Sequence, residues 1–185
     1  MRKTLTALSL VILTGALPVL AQTGPGLGVG AYAGLNFPVA QDDQTRGAEY
    51  GFAGRFGLAP LIVVQPYVSF VKWGKPGTVS GVDLGIDGSK VTSYGIEAEI
   101  GNFPGQIGMA PYFVAGIGSY KIKNDDTGFD QNRFGYSGGI GLGFGLSRQL
   151  GLDVRARFIV VPQKEGGSKK AIGATGGVNF SFGGE

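Results

Sequence analysis

Phe134-Gly135-Tyr136-Ser137-Gly138-Gly139-Ile140-Gly141-Leu142-Gly143-Phe144-Gly145-Leu146 decides the fold by its spacing. Phe134, Tyr136, Ile140, Leu142, Phe144 and Leu146 share one parity, and Gly135, Ser137, Gly139, Gly141, Gly143 and Gly145 share the other. Side chains alternate across a strand with a period of two, whereas a helix repeats its apolar face every three or four residues. The stretch therefore reads as a strand with one large apolar face and one face almost bare of side chains.

The same alternation extends in both directions. Leu27, Val29, Ala31, Ala33, Leu35 and Phe37 oppose Gly28, Gly30, Tyr32, Gly34 and Asn36, and Tyr50, Phe52, Phe56 and Leu58 oppose Glu49, Gly51, Arg55 and Gly57. Leu152, Val154, Ala156, Phe158 and Val160 oppose Asp153, Arg155 and Arg157; Ile172, Ala174, Val178, Phe180 and Phe182 oppose Gly173, Thr175, Gly177, Asn179 and Ser181. The pattern predicts eight strands, over 27–37, 48–58, 62–73, 91–101, 110–121, 134–146, 150–161 and 171–182. Each is about 11 residues, the length with which a tilted strand crosses a bilayer. No long amphipathic helix interrupts them.

Connections supply a second regularity. Residues 38–47, 74–90, 122–133 and 162–170 read as long polar loops, and 59–61, 102–109 and 147–149 as shorter turns. Their alternation predicts an all-β, antiparallel, up-and-down barrel with four loops at one rim and three turns at the other. A soluble barrel would turn its apolar face inward, but eight strands enclose only enough room to be filled by side chains. Pointing outward, the apolar face meets lipid, and the glycine face leaves room inside for a few large polar groups. The expected fold is a transmembrane barrel, apolar outside and polar and glycine-rich inside.

By parity the inner face carries Glu49, Glu97, Glu99 and Asp153 against Arg55, Arg155 and Arg157. Desolvated single charges are costly, so these residues are expected to form an ion-pair network across the lumen that plugs it, the alternative being that lumen water solvates some of them. Two aromatic girdles are expected, with Phe37, Tyr50, Trp73, Tyr94, Phe134, Tyr136 and Phe158 at the loop ends and Phe56, Phe113, Phe144, Phe180 and Phe182 at the turn ends.

Composition narrows the chemistry. The 185 residues include 36 Gly and no His or Cys, and 16% are charged. Without His or Cys there is no Ser-His-Asp or Cys-His pair, thiolate, disulfide or histidine zinc site, so no catalytic residue, cofactor site or metal site is assigned. Arg2 and Lys3 precede an apolar run from Leu5 to Leu17, and Val19-Leu20-Ala21 offers a small-residue cleavage site, so residues 1–21 read as a secretory signal and 22–185 as the barrel. Cleavage lowers the formal charge from +3 to +1, which removes any case for nucleic acid. Asn124, Asp126, Gly128 and Asp130 faintly echo a calcium loop without its closing Glu and read as a solvated turn. Gly141-Leu142-Gly143-Phe144 is no dinucleotide fingerprint, because no helix follows it.

The Gln65-Pro66-Tyr67-Val68 and Ala110-Pro111-Tyr112-Phe113 strand openings, the leader and the closing Thr175-Gly176-Gly177-Val178-Asn179-Phe180-Ser181-Phe182 resemble outer-membrane β-barrel proteins of the outer-membrane protein A and X type. The resemblance covers the whole mature chain. It implies an integral, non-enzymatic, monomeric protein of a Gram-negative-type outer membrane, short turns toward the periplasm, with no residues left for a further domain. It also implies that Thr175, Gly177, Phe180 and Phe182 form the signal read by the barrel assembly machinery, although Gly183-Gly184-Glu185 follow here where the family ends on the aromatic. Lys72, Lys75, Lys90, Lys121, Lys123, Lys164, Lys169 and Lys170 all lie in or beside the long loops, as a rim for outer-membrane lipid and lipopolysaccharide would; since Asp42, Asp43, Asp83, Asp87, Asp125, Asp126 and Asp130 accompany them, loop solubility without a specific ligand is the alternative. The functional expectation is a closed barrel with a structural, envelope-integrity or surface-loop interaction role. The alternatives are a small passive pore and a soluble secreted barrel that binds an apolar ligand.

Overall fold

The computed structural model describes residues 26–39, 45–59, 61–75, 87–101, 107–163 and 166–182. Eight strands follow in order: β1 Leu27–Pro38, β2 Thr45–Ala59, β3 Ile62–Gly74, β4 Lys90–Ile100, β5 Gly108–Asn124, β6 Phe129–Gly145, β7 Leu150–Pro162 and β8 Ser168–Phe182. Each pairs antiparallel with its neighbour in sequence, and β8 closes on β1 from Leu27↔Phe182 to Pro38↔Ala171. Closure leaves no sheet edge, which a wall facing hydrocarbon requires because lipid offers no partner for backbone N–H and C=O groups.

The deciding parity is obeyed. On β5 and β6, Phe113 is 68% exposed and Ile140 60%, while Glu97 and Glu99 on β4 are at most 1% exposed. Glycines on the inner face seat aromatic rings from neighbouring strands. A Cβ on Gly141 would lie 2.1 Å from Tyr112 Cζ, and one on Gly51 would lie 2.6 Å from Tyr32 Cζ, so each ring occupies the space a side chain would fill.

Four expectations need correction. Residues 122–133 are not a long loop: β5 and β6 run on through Lys121↔Asn132 and Lys123↔Asp130 and turn tightly at Asp125–Gly128. The β4–β5 connection, Gly101–Ile107, is longer than this loop-end turn, so connection length does not alternate strictly. Trp73 belongs to no girdle. It points into the barrel, 6% exposed, and its Nε1 donates to Asn36 Oδ1 at 2.8 Å.

The fourth explains the first and the third. The interior is not polar throughout: near the loops, Val71, Trp73, Val91, Tyr120, Ile122, Val161 and Ala171 form a buried apolar cluster. Outside at the same height stand Lys72, Lys90, Lys121, Lys123 and Lys170, all exposed. Lys72 faces Lys90 across β3–β4, and Lys90 faces Lys123 across β4–β5. Below this row the wall meets lipid and is apolar outward; above it the wall meets water and its polarity inverts. Polar outward residues at 121–123 and 130–132 thus belong to a strand in water, which a lipid-facing pattern reads as loop.

Candidate functional site: the ionic interior

β2 supplies Glu49 and Arg55, β4 supplies Glu97 and Glu99, and β7 supplies Asp153, Arg155 and Arg157. All seven expected charges are buried and meet in one cluster that joins β2 and β4 to β7 across the lumen. Arg55 Nη2 donates to Glu99 Oε2 at 2.7 Å. Arg155 continues the chain, with Nη2 3.2 Å from Glu99 Oε1, Nη1 3.4 Å from Glu97 Oε2 and Nε 2.9 Å from Asp153 Oδ2. Arg157 ends it, donating through Nη1 to Glu97 Oε1 at 2.6 Å and through Nη2 to Glu49 Oε1. The two-pronged guanidinium suits this bridging role, since each prong can meet a different carboxylate.

Neutral groups complete the cluster. Glu49 accepts from Asn36 Nδ2 at 2.9 Å and Ser69 Oγ at 3.1 Å; Asp153 accepts from Tyr112 OH and Asn179 Nδ2, both at 2.9 Å. Ser137 Oγ donates to Glu97 at 3.3 Å, and Gln65 Oε1 accepts from Arg155 at 3.3 Å. The Arg157 guanidinium lies 5.4 Å from the Tyr32 ring centroid and 5.9 Å from that of Tyr67, within cation–π range of both. Sequence reasoning did not single out these partners. Their inward parity was visible, but which of them reach one another across the lumen depends on how the barrel closes.

The expected lysine rim is uneven. Lys75 is exposed beside Asp87 at 3.7 Å, and Lys121 beside Asp130 at 3.7 Å. Lys169 is half-buried, its Nζ 4.9 Å from the Phe129 ring centroid, and Lys164 lies outside the described residues. At the β5–β6 tip, Asn124 Oδ1 accepts from the backbone N–H groups of Asp126 and Thr127, an Asx-type turn. Among the described residues no acidic group is arranged to hold a metal ion. The tip instead clasps the β3–β4 loop: Asp87 N donates to Asp126 Oδ2 at 2.6 Å, and Asn124 Nδ2 donates to Asp87 O at 2.9 Å. Lys90 and then Lys123 hold the Asp125 carboxyl down from the usual 3.8 to about 2. A carboxyl that titrates lower when folded contributes above its unfolded value and loses that contribution as pH falls through its folded one. Protection of the Asp126 and Thr127 amides, corrected for intrinsic exchange, should therefore hold above pH about 4 and fall as pH drops toward 2; a flat protection factor across that range would contradict a role for the Lys90–Asp125–Lys123 bridge at this tip.

Thr175 and Gly177 face inward on β8, Thr175 being buried, while Phe180 and Phe182 face outward near the turn end with their ring centroids 5.2 Å apart. Tyr50 and Phe70 stack outside at 5.3 Å. An apolar exterior around an ionic interior is the reverse of a soluble barrel and defines an integral outer-membrane β-barrel.

The chain belongs to the outer membrane protein β-barrel domain family, whose model matches residues 5–182. Neisserial surface protein A is similar in structure at 18% identity, with 85% of this chain and 97% of that one covered and a TM-score of 0.69. The N-terminal barrel domain of Pseudomonas aeruginosa OprF matches at 19% identity, 87% and 100% coverage and a TM-score of 0.55. OprG from Pseudomonas aeruginosa matches at 12%, 89% and 100%, and 0.54. No curated relative matches in sequence. The protein is an integral outer-membrane component.

Proposed function

We propose that this protein is a closed, non-enzymatic barrel that stabilises the outer membrane and presents loops at its surface, its lumen sealed by the Arg55–Glu99–Arg155–Glu97–Arg157–Glu49 chain. The observation that carries this reading is Arg157, which spans from β7 to carboxylates on both β2 and β4 with its two Nη atoms. It favours a sealed barrel over a small pore because ions would have to displace a guanidinium whose attraction is strengthened by its low-dielectric surroundings. The absence of His and Cys supports the lack of enzymatic chemistry. Liposomes carrying the purified barrel should not swell in isosmotic arabinose or glycine solution; swelling above that of empty liposomes would count for the pore.

The lysine row fits phosphates of lipopolysaccharide. Lys72, Lys90 and Lys123 stand in register on adjacent strands, an arrangement that like charges disfavour unless anions join them, and Asp125 answers only Lys90 and Lys123. Replacing all three by Gln should lower co-purified lipopolysaccharide several-fold, and an unchanged amount would remove this role. Residues 1–21 serve as the export signal, so the mature protein should begin at Gln22 by N-terminal sequencing, and it works as a monomer. Thr175, Gly177, Phe180 and Phe182 serve as the assembly signal. Phe182→Ala should leave part of the protein in the periplasm, whereas full recovery in the outer membrane would argue against recognition of this segment.

A further inference from the structure

Thr92 stands at the centre of the lysine row. It faces outward on β4, half-buried, with Lys90 two residues along the same strand and Lys121 directly opposite on β5. Lys72 on β3 and Lys123 on β5 lie at its diagonals. Opposed residues of an antiparallel pair are about 5 Å apart and diagonal ones about 7–8 Å, separations that a lysine stem closes. Four ammonium groups can therefore reach one hydroxyl. Among the described residues, Asp125 meets Lys90 and Lys123 at 2.7 and 3.0 Å, Asp130 meets Lys121 at 3.7 Å, and Lys72 makes no ion pair. Two carboxylates thus face four cations, which leaves a positive surplus around a neutral side chain. A phosphomonoester carries roughly −1.5 to −2 charges at neutral pH and three strong acceptor oxygens, which matches that surplus. Below Thr92 the same wall carries Tyr94, Ile96 and Ile117, each more than half exposed, so a lipid with its phosphate at Thr92 lays its chains on apolar surface.

We propose that Thr92 seats one phosphate of an outer-leaflet glycolipid, its oxygens held directly by Lys72, Lys90, Lys121 and the Thr92 hydroxyl with no divalent cation between. The inference rests on the reading of the lysine row as a lipopolysaccharide surface, and it adds where on that row the phosphate sits and how it is held. Carboxylates could bind a phosphate only through a divalent ion, and here they are turned to ammonium groups, Asp125 to Lys90 and Lys123 and Asp130 to Lys121. The wall thus offers lysine as the point charge that meets the phosphate, with a hydroxyl donor at the centre.

The test is native mass spectrometry of the intact, delipidated barrel in detergent, with added bisphosphorylated lipid A or with lipid A stripped of both phosphates. The wild-type barrel should bind the first about 10-fold more tightly than the second, and the preference should survive excess EDTA. Thr92→Glu, which places a carboxylate among the lysines, should remove the preference while keeping heat-modifiable gel migration. If that variant does not fold, Lys121→Gln, an exposed change, should weaken binding of the bisphosphorylated lipid about 5-fold. Equal binding of the two lipids by the wild type, or binding of neither, would overturn the lipopolysaccharide reading and this site with it. A phosphate preference that Thr92→Glu or Lys121→Gln leaves intact would place the phosphate elsewhere on the rim and overturn this site alone. Loss of the preference in EDTA would overturn direct contact.

Discussion

Arg157→Ala should destabilise the folded barrel by about 3–5 kcal/mol, the largest single-residue effect expected from the interior. Arg157 meets Glu49 and Glu97 simultaneously, and both carboxylates are at most 2% exposed. Removing the guanidinium leaves Glu49 with only the neutral donors Asn36 and Ser69, and Glu97 with only Ser137 and its longer contact to Arg155, where neither lipid nor the apolar cluster above can solvate them. Most of the loss is thus the cost of the stranded carboxylates rather than the value of the ion pairs. This reasoning sets a control: Arg157→Met combined with Glu49→Gln and Glu97→Gln, which removes the charges together, should recover much of the stability. Reversible urea unfolding into lipid vesicles, followed by Trp73 emission, measures both. If the triple variant is no more stable than Arg157→Ala, stranded charge is not the cause.

Gly139→Ala should be severe, and Gly138→Ala, one residue away, should be nearly silent. A Cβ on inward-facing Gly139 would stand 2.0 Å from the carbonyl oxygen of Ala156 and 2.9 Å from Arg157 Cα on β7. Backbone cannot give way as a flexible side chain can, so β6 and β7 must separate at the register pair Gly139↔Arg157, which anchors the ionic chain. Overpacking of this kind costs about 1–3 kcal/mol and more where the wall cannot shift. An outward Cβ on Gly138 meets only Val114 O, at 3.9 Å, and would lie in lipid. Unfolding midpoints of the two variants give the comparison. Equal midpoints would show that β6 and β7 do not approach as closely as described.

Why the inner charges were legible and their partners were not follows from the physics of a closed wall. Parity along each strand places Glu97, Glu99 and Arg155 inward without knowledge of any other strand. That Arg155 reaches Gln65 from β7 to β3, or that Tyr112 lies over Gly141, depends on stagger and tilt, which are properties of the closed sheet. Trp73 and the β5–β6 tip were misread for another reason. Whether an apolar residue faces in or out depends on the solvent beyond the wall, and that solvent changes from lipid to water part-way along each strand. Lys72 beside Trp73, Lys121 and Lys123 around Ile122, and Lys170 beside Ala171 mark the change. Read as a boundary instead of a rim, those lysines place Trp73 inside.

Sealing of the lumen by the Arg157-centred ion-pair chain is tested most directly by single-channel recording of the refolded protein in a planar bilayer. The wild-type barrel should insert without producing a stable conductance step over the working voltage range. Stable, nanosiemens-range steps from the wild-type protein would contradict the seal.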